Sequence, residues 1–193
     1  EETIFAAERA ARRFRDANAN SDPKHTDQQY WDIYYSELLS RLPSHRDLLP
    51  DLVAAARTSA NWCMVPTGTR EQLLDLKQKY RLAVISNADG HIADLFVRVG
   101  LADLFETITD SGNVGFQKPH PEIFRAALRS LDVPAEKSVY VGDVYSIDYT
   151  GARGVGMNAI VMDPYGTYEQ NGVPRVTNLA ELEPMLAKIV SRG

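Results

Sequence analysis

Four short apolar runs, at residues 82–86, 105–109, 138–142 and 158–162, alternate with segments of helical character from Thr69 to the C-terminus. Strands that recur with helices between them make a parallel sheet, because each crossover must run back along the sheet before the next strand starts. Helices placed by such crossovers cover both faces. That alternation predicts an α/β fold. Thr69 with Gln72 reads as a capping box opening a helix that carries Leu73, Leu74 and Leu76. A helix at 91–99 stops at Gly100, and Pro121 suits the first turn of the next. Ile123, Phe124, Ala127, Leu128 and Leu131 give that helix a buried stripe. A further helix is expected at 148–154. Asn178 and Glu181 open a terminal one with Leu182, Met185, Leu186 and Ile189 inward.

Residues 1–63 carry helical signals only. Ile4, Ala7, Ala11 and Phe14 share one face of a first helix. Asp27 is placed to cap a second, in which Tyr30, Trp31, Ile33, Tyr34, Leu38, Leu39 and Leu42 recur at helical spacing, and a third runs from His45 to Thr58. Most of these aromatics are expected to pack helix on helix, a substrate-facing wall being the alternative. Composition changes at Asn61–Gly68, a connector. The expected organisation is a helical subdomain at 1–63 and an α/β core at 64–193.

The chemistry sits at strand ends, where open α/β sheets bind ligands. The run Val139–Val141 leads into Gly142-Asp143, with Gly142 read as the residue that lets the chain turn, and Asp148 follows. Two carboxylates so close need a compensating cation, and Mg²⁺ is the natural one. The strand at 82–86 ends in Ser86 followed by Asn87, and Lys118 stands in Lys118-Pro-His-Pro121. Hydroxyl, backbone N–H, lysine and carboxylates together suit a phosphoryl group, which requires charge neutralisation and directed donors. Taken singly, Ser86 serves equally as a turn former, Asn87 as a loop residue and Lys118 as a solvated charge. Either aspartate alone could cap a turn. Their order along the chain favours the site.

These residues resemble the motifs of the haloacid dehalogenase-like hydrolase superfamily. Ser86 in Val84-Ile-Ser-Asn-Ala88 matches its second motif, Lys118 its third, and Asp143 with Asp148 its fourth. The run after Gly142 is most similar to the branch with a helical cap. The resemblance implies a Rossmann-like parallel sheet with a cap, acting as a Mg²⁺-dependent phosphomonoester phosphatase through an aspartyl-phosphate. It implies that Ser86, the Asn87 N–H and Lys118 bind the phosphoryl oxygens, Lys118 also steadying the nucleophile. Asp143 would ligate the metal, and Asp148 would hold a metal-bound water or orient its neighbours. The family's first motif, Asp-x-Asp-x-Thr, has no counterpart here, for the chain contains no Asp-x-Asp. The chain is therefore expected to be N-terminally truncated, to lack the nucleophile and the central strand that bears it, and to be inactive as given. The strands ending at Ser86 and Gly142 would then lie about two spacings apart, ~10 Å, without pairing. Two alternatives stand beside this reading: a metal-free 2-haloacid dehalogenase, disfavoured by Gly142-Asp143, and a non-catalytic binding or regulatory domain.

Composition narrows the partners. A net charge of −5 over 193 residues argues against a nucleic-acid surface. No apolar run reaches the ~18 residues of a membrane span. The single Cys63 excludes an intramolecular disulfide, suits a reducing cytoplasm and is expected to be a buried structural thiol. A small phosphorylated metabolite is the expected partner.

Overall fold

The computed structural model describes residues 2–19 and 27–190. Helices α1 (Glu2–Ala19), α2 (Asp27–Ser40) and α3 (Leu49–Ala56) form a layer in which α1 packs on α2 and α2 on α3. The third expected helix is shorter than the pattern suggests. Its first part, Pro43–Leu48, is a 3₁₀ segment, and Pro50 lies in the first turn of α3. The capping role expected of the Asp27 side chain lies outside the described residues.

The alternating half follows as α4 (Thr69–Lys77), β1 (Ala83–Ser86), α5 (Ile92–Arg98), β2 (Thr107–Asp110) and the one-turn α6 (Ser111–Val114). It continues with α7 (Pro121–Leu131), β3 (Val139–Gly142), α8 (Thr150–Gly154), β4 (Asn158–Met162), β5 (Arg175–Val176) and α9 (Leu182–Val190). Every strand pair is parallel, but the strands form two sheets, β1–β2 and β3–β4–β5. β1 and β3 are not hydrogen-bonded neighbours, which is the lack of pairing expected of them. A side chain spans the interval: the Tyr140 hydroxyl on β3 donates to the Ile85 carbonyl on β1 at 3.2 Å.

Alternation along β3 and β4 sends residues to opposite faces. Tyr140 and Ala159 join Ile123, Phe124, Ala152 and Met157 beneath α7 and α8. Val139, Val141 and Ile160 join Leu76, Val176, Leu182 and Leu186 beneath α4 and α9. Phe124, fully buried, meets the Tyr140 ring edge to face at 5.3 Å, an arrangement aromatic quadrupoles favour. The ring that bridges the sheets is thereby clamped in the core.

Several local expectations change. Gly68, not Thr69, precedes α4, and its carbonyl accepts from the Gln72 N–H, so no side-chain capping box forms. Leu74 is exposed, leaving Leu76 as the buried residue of α4. On α1 the buried face runs Ala7, Ala11, Arg15 at i, i+4 spacing, while Ile4 and Phe14 are exposed. Cys63 is exposed rather than buried. The helix expected at 148–154 begins as a π-type turn, Tyr145–Tyr149, before α8. No helix among the described residues is long and apolar enough to cross a membrane.

Candidate functional site

The C-terminal end of β1 is tied to the loop before α7 by one amide. Asn87 donates through Nδ2 to the Lys118 carbonyl at 3.0 Å, and its Oδ1 accepts from the Lys118 N–H at 2.7 Å. This reciprocal pair anchors Lys118 beside the end of the strand on which Ser86 is the last, half-buried residue. The Lys118 Nζ donates to Asp148 Oδ1 at 2.8 Å and to the Tyr140 hydroxyl at 2.9 Å. Two of its three N–H groups are thus committed. Burial alone would lower the Lys118 pKa, but the negative charge of Asp148 and the Tyr140 oxygen raise it above its ordinary value. The ammonium stays charged. Burial, then Asp148, pushes the Tyr140 phenol up, so it remains a neutral donor.

Asp148 is held from both ends. Besides Lys118, its Oδ1 stands 3.3 Å from the Tyr140 hydroxyl, whose one proton it shares with the Ile85 carbonyl, and its Oδ2 accepts from the Val144 N–H at 2.9 Å. The π-type turn, closed by the Thr150 N–H donating to the Tyr145 carbonyl, and the Asp148 N–H donating to the Val144 carbonyl at 2.7 Å together bring this carboxylate back over the end of β3. Gly142 makes room for it. A Cβ there would lie 2.5 Å from Asp148 Cγ, whereas Gly142 is not among the glycines of positive φ. The glycine is required for close approach, not for the turn expected of it.

Asp143 does something else. Its carboxylate, 52% exposed, accepts from Arg12 Nη1 on α1 at 2.9 Å. The two aspartates therefore do not share one counter-charge: Lys118 serves Asp148, and Arg12 serves Asp143. Among the described residues no group of three His, Cys, Asp or Glu side chains could hold a metal. Mg²⁺ needs only one or two carboxylates when waters and phosphate oxygens complete its sphere. Asp143, half-exposed, fits as one such ligand; Asp148, engaged with protein donors, fits as the residue that orients its neighbours.

The helical layer adds residues that the strand-end motifs do not point to. Arg12 also donates through Nε to Glu8 at 2.9 Å and lies 5.1 Å from the centre of the Tyr165 ring. Glu8 in turn accepts from the Tyr34 hydroxyl. Asp16 accepts from Ser146 Oγ at 3.0 Å and from the Tyr168 hydroxyl. Burial pushes the Asp16 carboxyl above its ordinary value, against Arg15, Tyr168 and Ser146, which favour its charge. Arg15, 3% exposed, lies over the rings of Tyr30 and Tyr34 at 4.8 and 5.3 Å, with Nε 3.6 Å from Asp16. Its Nε and Nη2 have no hydrogen-bond partner among the described residues. The available signal was the Glu8-Arg12-Asp16 spacing at i, i+4, which places alternating charges along one face. A polar cleft of about 290 Å³ lies alongside, lined by Arg13, Asp16, Tyr145, Thr167, Tyr168 and Asn171, among others.

Residues 11–162 match the family model described as haloacid dehalogenase-like hydrolase. Over 135 residues the chain is 35% identical to haloacid dehalogenase-like hydrolase domain-containing protein 3 of Xenopus laevis, an alignment covering 69% of this chain and 55% of that protein. It is 33% identical over 165 residues to the glyceraldehyde 3-phosphate phosphatase of Pyrococcus furiosus, covering 72% of this chain and 68% of that one. The chain spans about half the length of the first curated relatives it matches, 55% of one and 45% of two others. Among solved structures, a HAD phosphatase from Thermococcus onnurineus aligns with a TM-score of 0.63 over 95% of this chain and 87% of that one. At 22% identity that likeness speaks for the fold alone.

Proposed function

The chain belongs to the haloacid dehalogenase-like hydrolase family, and from that premise we propose that the whole protein is a phosphomonoester phosphatase whose phosphoryl group is held by Ser86, Asn87 and Lys118. The observation that carries the reading is Lys118. It is a largely buried ammonium, held charged by Asp148 and fixed beside the end of β1, with one N–H left after Asp148 and Tyr140 are served. A fixed cation with a donor to spare is what a phosphoryl oxygen requires, and it needs no rearrangement when the ligand arrives. The Ser86 hydroxyl and the Asn87 N–H, at the tip of the same strand, add donors from a second direction.

A Mg²⁺ held by Asp143 would supply charge neutralisation at a second phosphoryl oxygen. Asp148 acts indirectly, holding Lys118 and the Val144 N–H in place. Residues 64–193 serve as the catalytic core, while residues 1–63 serve as the cap that excludes water and selects the substrate. The substrate class is a small phosphorylated metabolite of the cytoplasm; one relative bears the name glyceraldehyde 3-phosphate phosphatase. Gly142-Asp143 favours phosphoester over haloacid chemistry. Without Asp-x-Asp the chain itself forms no aspartyl-phosphate and turns over no aryl phosphate.

Calorimetric titration with inorganic phosphate tests the reading without requiring turnover. Binding weakened by Ser86→Ala and abolished by Lys118→Met supports it. Equal binding by wild type and Ser86→Ala, with Lys118→Met folded and equally competent, would overturn it.

A further inference from the structure

Asp143 is the half-exposed carboxylate at the tip of β3, and its partner comes from 131 residues away. Arg12 is held on several sides: Nη1 reaches Asp143, Nε reaches Glu8, and the guanidinium lies over Tyr165. The arginine side chain is 15% exposed while the carboxylate is 52% exposed, so the cation is the fixed member of the pair and the anion the accessible one.

We propose that Arg12 is a latch, occupying the cation position at Asp143, so that α1 and a divalent ion compete for one carboxylate. The inference rests on the reading of Asp143 as a metal-facing residue. A divalent ion held by Asp143 would share that carboxylate with the guanidinium 2.9 Å from it, and like charges so placed would repel even when screened. Arg12 holds Oδ2, and one carboxylate charge cannot neutralise both cations at full strength, whichever oxygen the ion takes. Binding of the ion therefore weakens the hold of α1, and the closed latch weakens the ion by the same factor.

The latch has a path into the helical layer. Arg12 bonds Glu8, Glu8 accepts from Tyr34, and the Tyr34 ring meets Trp31 edge to face at 6.0 Å. Trp31 in turn lies 5.7 Å from Trp62, which is 54% exposed. Release of Arg12 frees Glu8 and alters the surroundings of both tryptophans, so cation binding at the strand tip is readable as a change in indole emission.

The test uses Mn²⁺ as the probe, its binding followed by loss of the free-ion electron paramagnetic resonance signal. Wild type, Arg12→Gln, Asp143→Asn and the double variant are titrated in parallel. Arg12→Gln is expected to bind about tenfold tighter than wild type, within the usual range of coupling between sites. Both variants lacking Asp143 are expected to lose the site. Equal affinities for wild type and Arg12→Gln, with loss in Asp143→Asn, would overturn the latch while keeping Asp143 as the cation ligand. No binding by any of the four removes that ligand and the latch with it. Should Arg12→Gln not fold, the wild type decides: Mg²⁺ must shift its tryptophan emission, and must not shift that of Asp143→Asn. Unchanged emission in wild type sinks the proposal.

Discussion

Lys118 and Arg15 are cations largely removed from water beside tyrosines, one contributed by the α/β half and one by the helical layer. Lys118 lies 5.5 Å from the Tyr140 ring centre and Arg15 lies 4.8 Å from that of Tyr30. Around Lys118, two acceptors stand at 2.8 and 2.9 Å, and the carboxylate that neutralises it has its own backbone donor. Around Arg15, Asp16 stands at 3.6 Å, and two buried nitrogens, Nε and Nη2, have no acceptor among the described residues. Desolvating a charge is favourable only when partners replace the lost water. Arg15, at 3% side-chain exposure, lies deeper than Lys118, at 12%, and yet has the poorer replacement. What the contrast teaches is that the strand-end network is preorganised by the fold, whereas Arg15 on α1 is buried with less compensation.

The largest effect expected from that difference is at Lys118. Lys118→Met keeps the volume but leaves Asp148 buried without its cation, and removing one member of a buried pair costs about 3–5 kcal/mol. Urea denaturation of the variant measures it. Arg15→Met is expected to change stability by no more than about 1 kcal/mol, because lost ring contacts are offset by the removal of unsatisfied donors. A loss at Arg15 as large as that at Lys118 would break the comparison.

A smaller effect sharpens it through pH. Burial holds the Asp16 carboxyl above its ordinary value in the folded chain. In the interval above that value the folded state binds more protons than the unfolded, so this group's contribution to stability falls as pH rises. Asp16→Asn lacks the dependence. Parallel denaturation from about pH 4 to 7 should show the wild type losing ground to the variant with rising pH. Asp89 carries the opposite sign. Burial opposes its ionisation, but the Ser59 hydroxyl and N–H hold its carboxyl below the ordinary value. Its contribution is present at neutral pH and is lost on acidification below about 4.

The same contrast describes what could be read from the chain. Alternation of apolar runs with helices foretold the parallel strands, because period and polarity are local properties. Ser86, Asn87, Lys118 and Asp148 were visible as polar residues at or near strand ends, and Asn87, Lys118 and Asp148 are tied into one network. Gly142 was singled out for the wrong reason. Its requirement is set by a side chain six positions away, which the local dipeptide does not reveal. Tyr140 read as one more residue of an apolar strand, since nothing local marks a hydroxyl that reaches a carbonyl on a different sheet. Arg12 was passed over because a basic residue on an amphipathic helix ordinarily faces water. Its role follows from an ion pair spanning 131 residues. The buried stripe of α1 was drawn through Ile4 and Phe14 by hydrophobicity, while the structure puts Arg15 inside and both apolar residues out.

The most direct measurement is a pair of double-mutant cycles, which isolate the pairwise coupling from the other effects of each substitution. One cycle combines Lys118→Met with Asp148→Asn; the other combines Arg15→Met with Asp16→Asn. A coupling of about 1.5–3 kcal/mol is expected for Lys118–Asp148, and one under about 0.5 kcal/mol for Arg15–Asp16. Equal couplings, or a larger one for Arg15–Asp16, would contradict the claim that the strand-end network is the preorganised half of the site.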